Sequence, residues 1–113
     1  MTTLSEPVRI LIVGINPETN AKIVGTVNED KSILADGFVA SNNPECDAEL
    51  INVIKQSTYG AVILGGGLRA QQDWYERIQN IIKSNSDLPA VGVKGPTVNY
   101  VKEALTTIGV LKG

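Results

Sequence analysis

The sequence predicts a single α/β domain in which helices cover both faces of a four-stranded parallel sheet. Short, β-branched apolar runs alternate four times with segments of helical periodicity, and this order is typical of a parallel sheet with right-handed crossovers. The runs are nearly continuous in apolar residues, as expected for strands that are buried on both faces. The chain is 113 residues long, which is the length of one domain.

The first strand is predicted at residues 8–15, and the first helix follows it directly. Asn16 is suited to the N-cap, Pro17 to the first helical position and Glu18 to the positive end of the helix dipole. We expect this helix to run to about residue 35. Its inner stripe would consist of Ile23, Val24, Val27 and Leu34.

This first helix has a structural alternative. Gly25 and Thr26 interrupt its pattern, and Lys31 stands where the apolar stripe should continue. A hairpin made from residues 22–27 and 32–40 would accommodate all three. If the helix forms instead, Gly37 is suited to end it in a left-handed conformation.

The remaining elements repeat the alternation of strand and helix. They are predicted at residues 38–40 (strand), 47–56 (helix), 59–64 (strand), 72–84 (helix), 88–93 (strand) and 97–108 (helix). Pro89 lacks a backbone N–H and therefore favours a sheet edge or the start of a strand. Residues 1–7 are polar and are expected to be extended or disordered, so the domain comprises residues 8–113.

The predicted strand order is 2-1-3-4, which follows if the first crossover goes one way and the later ones go the other. The order reverses between the first and third strands. Ligands of such sheets bind near that point, at the carboxyl ends of the strands.

Three consecutive glycines, Gly65, Gly66 and Gly67, follow the third predicted strand and lead to Arg69. Glycines let backbone N–H groups approach an anion closely, and an arginine can clamp a phosphate or carboxylate with two hydrogen bonds. The alternative is a tight turn that leaves Arg69 on the surface.

Polar residues after the other strands complete the candidate ligand site. Lys94 would add a second positive charge, although a solvated lysine at a strand end is the simpler interpretation. Neither named phosphate-binding glycine motif occurs in the chain. The predicted ligand-binding set is Asn16, Gly65, Gly66, Gly67, Arg69, Lys94 and Thr97.

Composition argues against several classes of chemistry. The chain has no histidine, which removes the commonest general base and metal ligand. It has one cysteine, Cys46, so it cannot form an internal disulfide, and this fits a reducing compartment. Acidic Glu45 and Asp47 flank that thiol, so we interpret Cys46 as a half-buried structural residue. No metal and no cofactor are predicted, and no catalytic residues can be named.

Charge and hydropathy argue against two kinds of partner. The net charge is −2 and the basic residues are scattered, so nucleic-acid binding is not expected. No apolar stretch approaches 18 residues and the N-terminus does not resemble a signal peptide. We therefore expect no membrane association and a cytoplasmic location.

Three segments resemble a shortened flavodoxin-like or response-regulator receiver domain. They are residues 9–14, the sequence Asp-Gly-Phe at 36–38 and the sequence Val-Lys-Gly-Pro at 93–96. Lys94 matches a receiver's lysine, but Ile15-Asn16 and Gly65-Gly66 stand where a receiver has acids, and one strand–helix unit is missing. The resemblance therefore implies the fold without phosphoryl transfer. The strand ends are also similar to small uncharacterised α/β proteins, which implies no activity.

The leading functional prediction is a non-catalytic domain that binds a small anionic ligand at the carboxyl edge of its sheet. The alternatives are a protein-interaction module without a ligand, and a small enzyme that uses arginine, lysine or carboxylate groups. A homo-oligomer is expected, by default a dimer, because a four-stranded sheet leaves two edges to cover. Apolar residues beyond the helix stripes, namely Tyr75, Val110 and Leu111, favour such a contact.

Overall fold

The computed structural model describes residues 8–29, 33–56, 59–93 and 98–109. In chain order these residues form β1 (Val8–Gly14), α1 (Pro17–Asn28), β2 (Ile33–Val39), α2 (Pro44–Gln56), β3 (Ala61–Leu64), α3 (Gly66–Arg69), α4 (Gln72–Asn85), β4 (Ala90–Gly92) and α5 (Val98–Thr107). The four strands form one parallel sheet in the order β2-β1-β3-β4. The predicted fold class and strand order are confirmed.

Helices pack on both faces of the sheet, as predicted for a three-layer sandwich. Successive residues of a strand point to opposite faces, so Ile10 and Ile12 of β1 pack with α1 and α5, whereas Leu11 and Val13 pack with α2 and α4. All four residues are at most 1% exposed. This two-sided burial explains why β1 is apolar at nearly every position instead of at alternate positions.

The predicted boundary between the first helix and the second strand is wrong. Helix α1 ends at Asn28 and β2 already begins at Ile33, so the strand is longer than the predicted residues 38–40. The Asn28 side chain donates to the Ala35 carbonyl at 2.9 Å and accepts from the Ala35 N–H at 2.7 Å. These bonds hold the chain where it folds back beside its own helix. Leu34, predicted to be buried in the helix stripe, is 51% exposed in β2.

The hairpin alternative is correct for only one of its two arms. Residues 22–27 are helical and residues 33–39 form a strand, but that strand pairs in parallel with β1. The local pattern of 33–39 resembles a strand because its buried positions, Ile33 and Ala35, are two residues apart.

Gly37 does not end a helix in a left-handed conformation. It lies within β2, and of the described residues only Gly109 has a positive φ. A Cβ at Gly37 would lie 2.5 Å from Oδ1 of Asn20, so glycine makes room for that side chain. Asn20 is only 5% exposed, and its Nδ2 donates to the Ile12 carbonyl at 3.1 Å. A polar residue in the inner stripe of α1 was not predicted.

The later elements match their predictions with shifted ends. Helix α2 begins at Pro44, three residues early, because the Asn43 side chain accepts from the Cys46 N–H at 2.7 Å. Strand β4 contains three residues and directly follows Pro89, which agrees with the predicted sheet edge. The expectation for residues 1–7, and the apolar contact assigned to Val110 and Leu111, concern residues outside the described ranges.

Candidate functional site

The carboxyl edge of the sheet is where the predicted ligand-binding residues were expected to meet. Asn16 follows β1 and caps α1, because its side chain accepts from the Thr19 N–H at 3.0 Å. The predicted N-cap is thus confirmed, and capping accounts for Asn16 without a ligand. Lys94 and Thr97 lie outside the described residues.

The triple glycine forms neither an open loop nor a simple turn. Gly65 is buried, and its N–H donates to the Val13 carbonyl at 2.8 Å, so it extends the pairing of β3 with β1. Residues 66–69 then form α3, a single helical turn. Its Arg69 N–H donates to the Gly65 carbonyl at 3.0 Å.

Two of these glycines allow α3 to pack closely against the end of β1. A Cβ at Gly65 would lie 3.2 Å from the Val13 carbonyl oxygen, and one at Gly67 would lie 3.0 Å from Cγ1 of Ile15. Both distances are tighter than ordinary van der Waals contact. Close packing therefore accounts for both glycines without a ligand, and the anion cradle at Gly65–Gly67 stays a prediction.

Arg69 points away from the β1–β3 junction, toward the free edge of β4. A Cβ at Gly92 would lie 3.2 Å from Cδ of Arg69 and 2.5 Å from Oη of Tyr75. Glycine at this position therefore lets both side chains lie across the end of the strand. The Tyr75 hydroxyl accepts from Nε2 of Gln79 at 3.2 Å, which fixes the ring beside Arg69. Tyr75 is half-buried here, and the subunit contact expected of it stays a prediction.

The Arg69 side chain reaches an open cavity of about 260 Å³ between the β4 edge and α5. The cavity has an apolar floor and carries two charges of opposite sign. It is lined by Arg69, Val91, Gly92, Val93, Tyr100, Glu103, Ala104 and Thr107. Within the described ranges, the Arg69 guanidinium has no hydrogen-bond or ion-pair partner and the Glu103 carboxylate forms no ion pair.

The backbone of β4 adds hydrogen-bonding groups for which the described residues supply no partner. The Pro89 carbonyl accepts from the Val62 N–H at 2.9 Å, and the Val93 N–H donates to the Leu64 carbonyl at 3.0 Å. The backbone N–H and C=O groups of successive residues in a strand point alternately to its two sides. Those of residues 89, 91 and 93 therefore point toward β3. The N–H and C=O groups of Ala90 and Gly92 consequently point away from the sheet.

A second cavity lies on the opposite face of β4, between the strand and α4. Its volume is about 310 Å³, and it is lined by Gln79, Asn80, Lys83, Leu88, Pro89 and Ala90. The free edge of β4 therefore has an open space on each face, with a carboxylate in one and an ammonium group in the other.

A larger, more open groove of about 420 Å³ runs along α4 and includes Arg77. This arginine pairs with Asp47 of α2, with 3.3 Å between Nε and Oδ2. A paired guanidinium must give up its partner to bind a ligand, so the groove is a weaker candidate than the β4 edge.

The sequence singled out Arg69 but missed the residues around it. Tyr100, Glu103 and Thr107 are spaced by three and four residues and share one side of α5, next to its buried stripe of Val101 and Leu105. That spacing was available as a signal. No local sequence pattern identified Gly92, because its role depends on side chains of α3 and α4.

The described residues contain no cluster of His, Cys, Asp or Glu that could hold a metal ion. Among the same residues, every helix is too short or too polar to cross a lipid bilayer. Comparison with models of protein families and with curated protein sequences finds no match to this chain.

Proposed function

We propose that this chain is a binding module for a small anionic ligand, which Arg69 holds at the carboxyl end of β4. One observation carries the proposal: an arginine without a described partner is positioned by Gly92 and Tyr75 beside an open cavity. A guanidinium is always charged, and its planar geometry matches carboxylate and phosphate groups. Its weak hydration makes it better suited than lysine to a partly enclosed anion site.

The cavity is suited to a small group. Its volume of about 260 Å³ lies just below the range typical of sites for drug-sized ligands, roughly 300–1,000 Å³. Val91, Val93 and Ala104 supply apolar contact, so an anion with a short apolar part would fit better than a bare ion. Glu103 disfavours a second negative charge and favours a donor or a cation at that end.

The enzyme alternative has less support. A nucleophile and a base within hydrogen-bonding distance are the usual sign of covalent catalysis, and the described lining of the cavity does not present such a pair. The Thr107 hydroxyl donates to the backbone carbonyl of Glu103 at 2.8 Å. Cys46 is buried on α2, where its sulfur accepts from the Ser41 N–H at 3.1 Å.

Thermal unfolding with added anions tests the proposal. Sodium phosphate and sodium acetate, each compared with sodium chloride at equal ionic strength, should raise the Tm of the wild-type protein. An anion at one hundred times its Kd stabilises the folded state by about 2.7 kcal/mol, which corresponds to several degrees for a domain of this size. In Arg69→Gln the increase should disappear, because the amide has no charge.

Lys22→Gln is the matched control, since it removes one positive charge from an exposed position of α1. It should keep the anion-dependent increase in Tm. An increase that survives in Arg69→Gln, or the lack of any increase in the wild type, would contradict the proposal.

A further inference from the structure

The next inference rests on the proposed function and makes its ligand specific. We propose that the free edge of β4 binds the carboxyl-terminal end of an extended peptide, which pairs in parallel with β4 as a fifth strand and places its terminal carboxylate on Arg69. The anionic group that Arg69 binds is thus the terminal carboxylate of a peptide. Three independent features of the edge support this assignment.

The first feature is the outward-facing backbone. Ala90 and Gly92 direct their N–H and C=O groups away from β3, and no hydrogen bond from the described residues reaches these groups. An added strand supplies complementary groups at the same spacing, which is the basis of peptide recognition at sheet edges. A small anion could use only one of these donors.

The second feature is the position of Arg69, which decides where the added chain stops and which end it presents. The side chain crosses the strand at Gly92 and continues into the cavity beside α5. A peptide that extends beyond Gly92 would collide with it. A peptide that ends there can place its carboxylate on the guanidinium, next to the outward N–H of Gly92. A positive charge at the carboxyl end of β4 selects a peptide that runs parallel to β4, because an antiparallel peptide would place its ammonium group there.

The third feature is the pair of cavities. Alternate side chains of a strand point to opposite faces, and the β4 edge has about 260 Å³ of space on the α5 face and about 310 Å³ on the α4 face. Glu103 lies in the first cavity and Lys83 in the second. The edge therefore favours peptides in which basic and acidic side chains alternate, with the basic ones toward α5.

Fluorescence anisotropy with the full chain tests the proposal. The probes are two fluorescein-labelled heptapeptides of alternating lysine and glutamate that end in valine and differ in which of the two precedes that valine. Only one of them can direct lysine toward Glu103 and glutamate toward Lys83. Each is prepared with a free carboxyl end and with a carboxyl-terminal amide. We expect one free-acid peptide to bind at least ten times more tightly than its own amide and than the other free acid. Arg69→Gln should abolish the difference between acid and amide, whereas Lys22→Gln should keep it.

Backbone methylation separates strand pairing from capture of the carboxylate alone. Two versions of the better peptide each carry one N-methyl group, on adjacent residues near the carboxyl end. Only one of the two N–H groups can face β4. One methylated peptide should therefore bind at least ten times more weakly while the other binds as before. Equal binding of both, equal binding of acid and amide, or no binding of any peptide at 1 mM would overturn the inference.

The two proposals fail in different ways. If phosphate and acetate raise the Tm through Arg69 but the peptides do not bind as described, the small-anion function stands and the peptide inference falls. If neither anions nor peptides act through Arg69, both fall. Competition by acetate, at concentrations that saturate the increase in Tm, should displace the peptide because both use the same guanidinium.

Discussion

The two edge strands of the sheet, β2 and β4, differ in whether a side chain bonds their outward backbone groups. At the β2 edge, the Asn28 side chain bonds both the N–H and the C=O of Ala35, so a side-chain amide takes the place of a neighbouring strand. At the β4 edge, no described side chain bonds the outward groups of Ala90 and Gly92. An unpaired edge invites association unless it is protected. We call the β2 edge, which is capped at Ala35, the closed edge, and the β4 edge, where the described residues show no such cap, the open edge.

Each edge strand also contains one glycine beneath a polar side chain from another element. Gly37 of β2 lies under Asn20, which is buried and hydrogen-bonded to β1. Gly92 of β4 lies under Tyr75 and Arg69, and Arg69 is exposed and has no described partner. The first glycine is used to lock two strands together. The second, on our proposal, is used to present a charge.

The largest expected effect is on stability at the closed edge. Gly37→Ala would place a methyl group 2.5 Å from Oδ1 of Asn20 and 3.1 Å from Cγ2 of Val24. The Asn20 side chain has little space to move because it is buried, so we expect a loss of about 1–3 kcal/mol, typical of overpacked cores. Urea unfolding, with an unchanged m value, measures it.

A double-mutant cycle assigns that loss to the contact. Asn20→Ala costs stability on its own, since it removes the hydrogen bond to the Ile12 carbonyl and leaves a cavity. In the Asn20→Ala background, Gly37→Ala should cost at least 0.5 kcal/mol less than in the wild type, the size of coupling seen for residues in contact. Strictly additive effects would show that the closed edge does not depend on this fit.

The second effect concerns the amide that covers β2. Asn28→Ala removes two hydrogen bonds and should cost about 1–2 kcal/mol. It also exposes the backbone of Ala35 to other molecules. Asn28→Asp is the comparison: a carboxylate still accepts from the Ala35 N–H but repels its carbonyl oxygen, so this variant should lose stability as well while its charge discourages association.

The oligomeric state of the protein tests the same role of Asn28 at the β2 edge. The wild type is predicted to be a homo-oligomer, so light scattering after size exclusion should give a mass at least twice that of the 12.0 kDa chain. Asn28→Ala should form larger assemblies than the wild type, and Asn28→Asp should not. A monomeric wild type across a dilution series would contradict the predicted oligomer. Identical masses for the two Asn28 variants would contradict the protective role of the amide.

The smallest effect on stability is expected at the open edge. Gly92→Ala would contact Oη of Tyr75 and Cδ of Arg69; these side chains are only half-buried and exposed, respectively, so they can shift more easily than buried Asn20, and we expect a loss of about 1 kcal/mol or less. The shift of Arg69 should nevertheless reduce the stabilisation by phosphate and acetate.

Gly25→Ala is the control: nothing lies within 4 Å of the added carbon, and alanine should stabilise α1 by roughly 0.5–1 kcal/mol without changing the response to anions. If phosphate and acetate stabilise Gly92→Ala as much as they stabilise the wild type, Gly92 does not position Arg69 for anion binding.

The sequence by itself determined the alternation of strands and helices and the two-sided burial of the sheet. Those features depend on the spacing of apolar residues over short stretches, and an uninterrupted apolar run such as β1 has few alternatives. It also determined the start of α1, because Asn16 and Pro17 act on the residues directly after them.

Only the tertiary structure decided where α1 ends and what the glycines do. The hydrogen bonds between the Asn28 side chain and the Ala35 backbone form only after the chain has turned back. The spacing of apolar residues does not predict them. Gly37 and Gly92 are needed because of Asn20 and Tyr75, which come from other elements. Likewise Arg69 was recognised as a candidate, but its direction toward β4 depends on Gly92, 23 residues later. Local patterns report which face of an element is buried, whereas a site is made by side chains that meet only after the elements have packed.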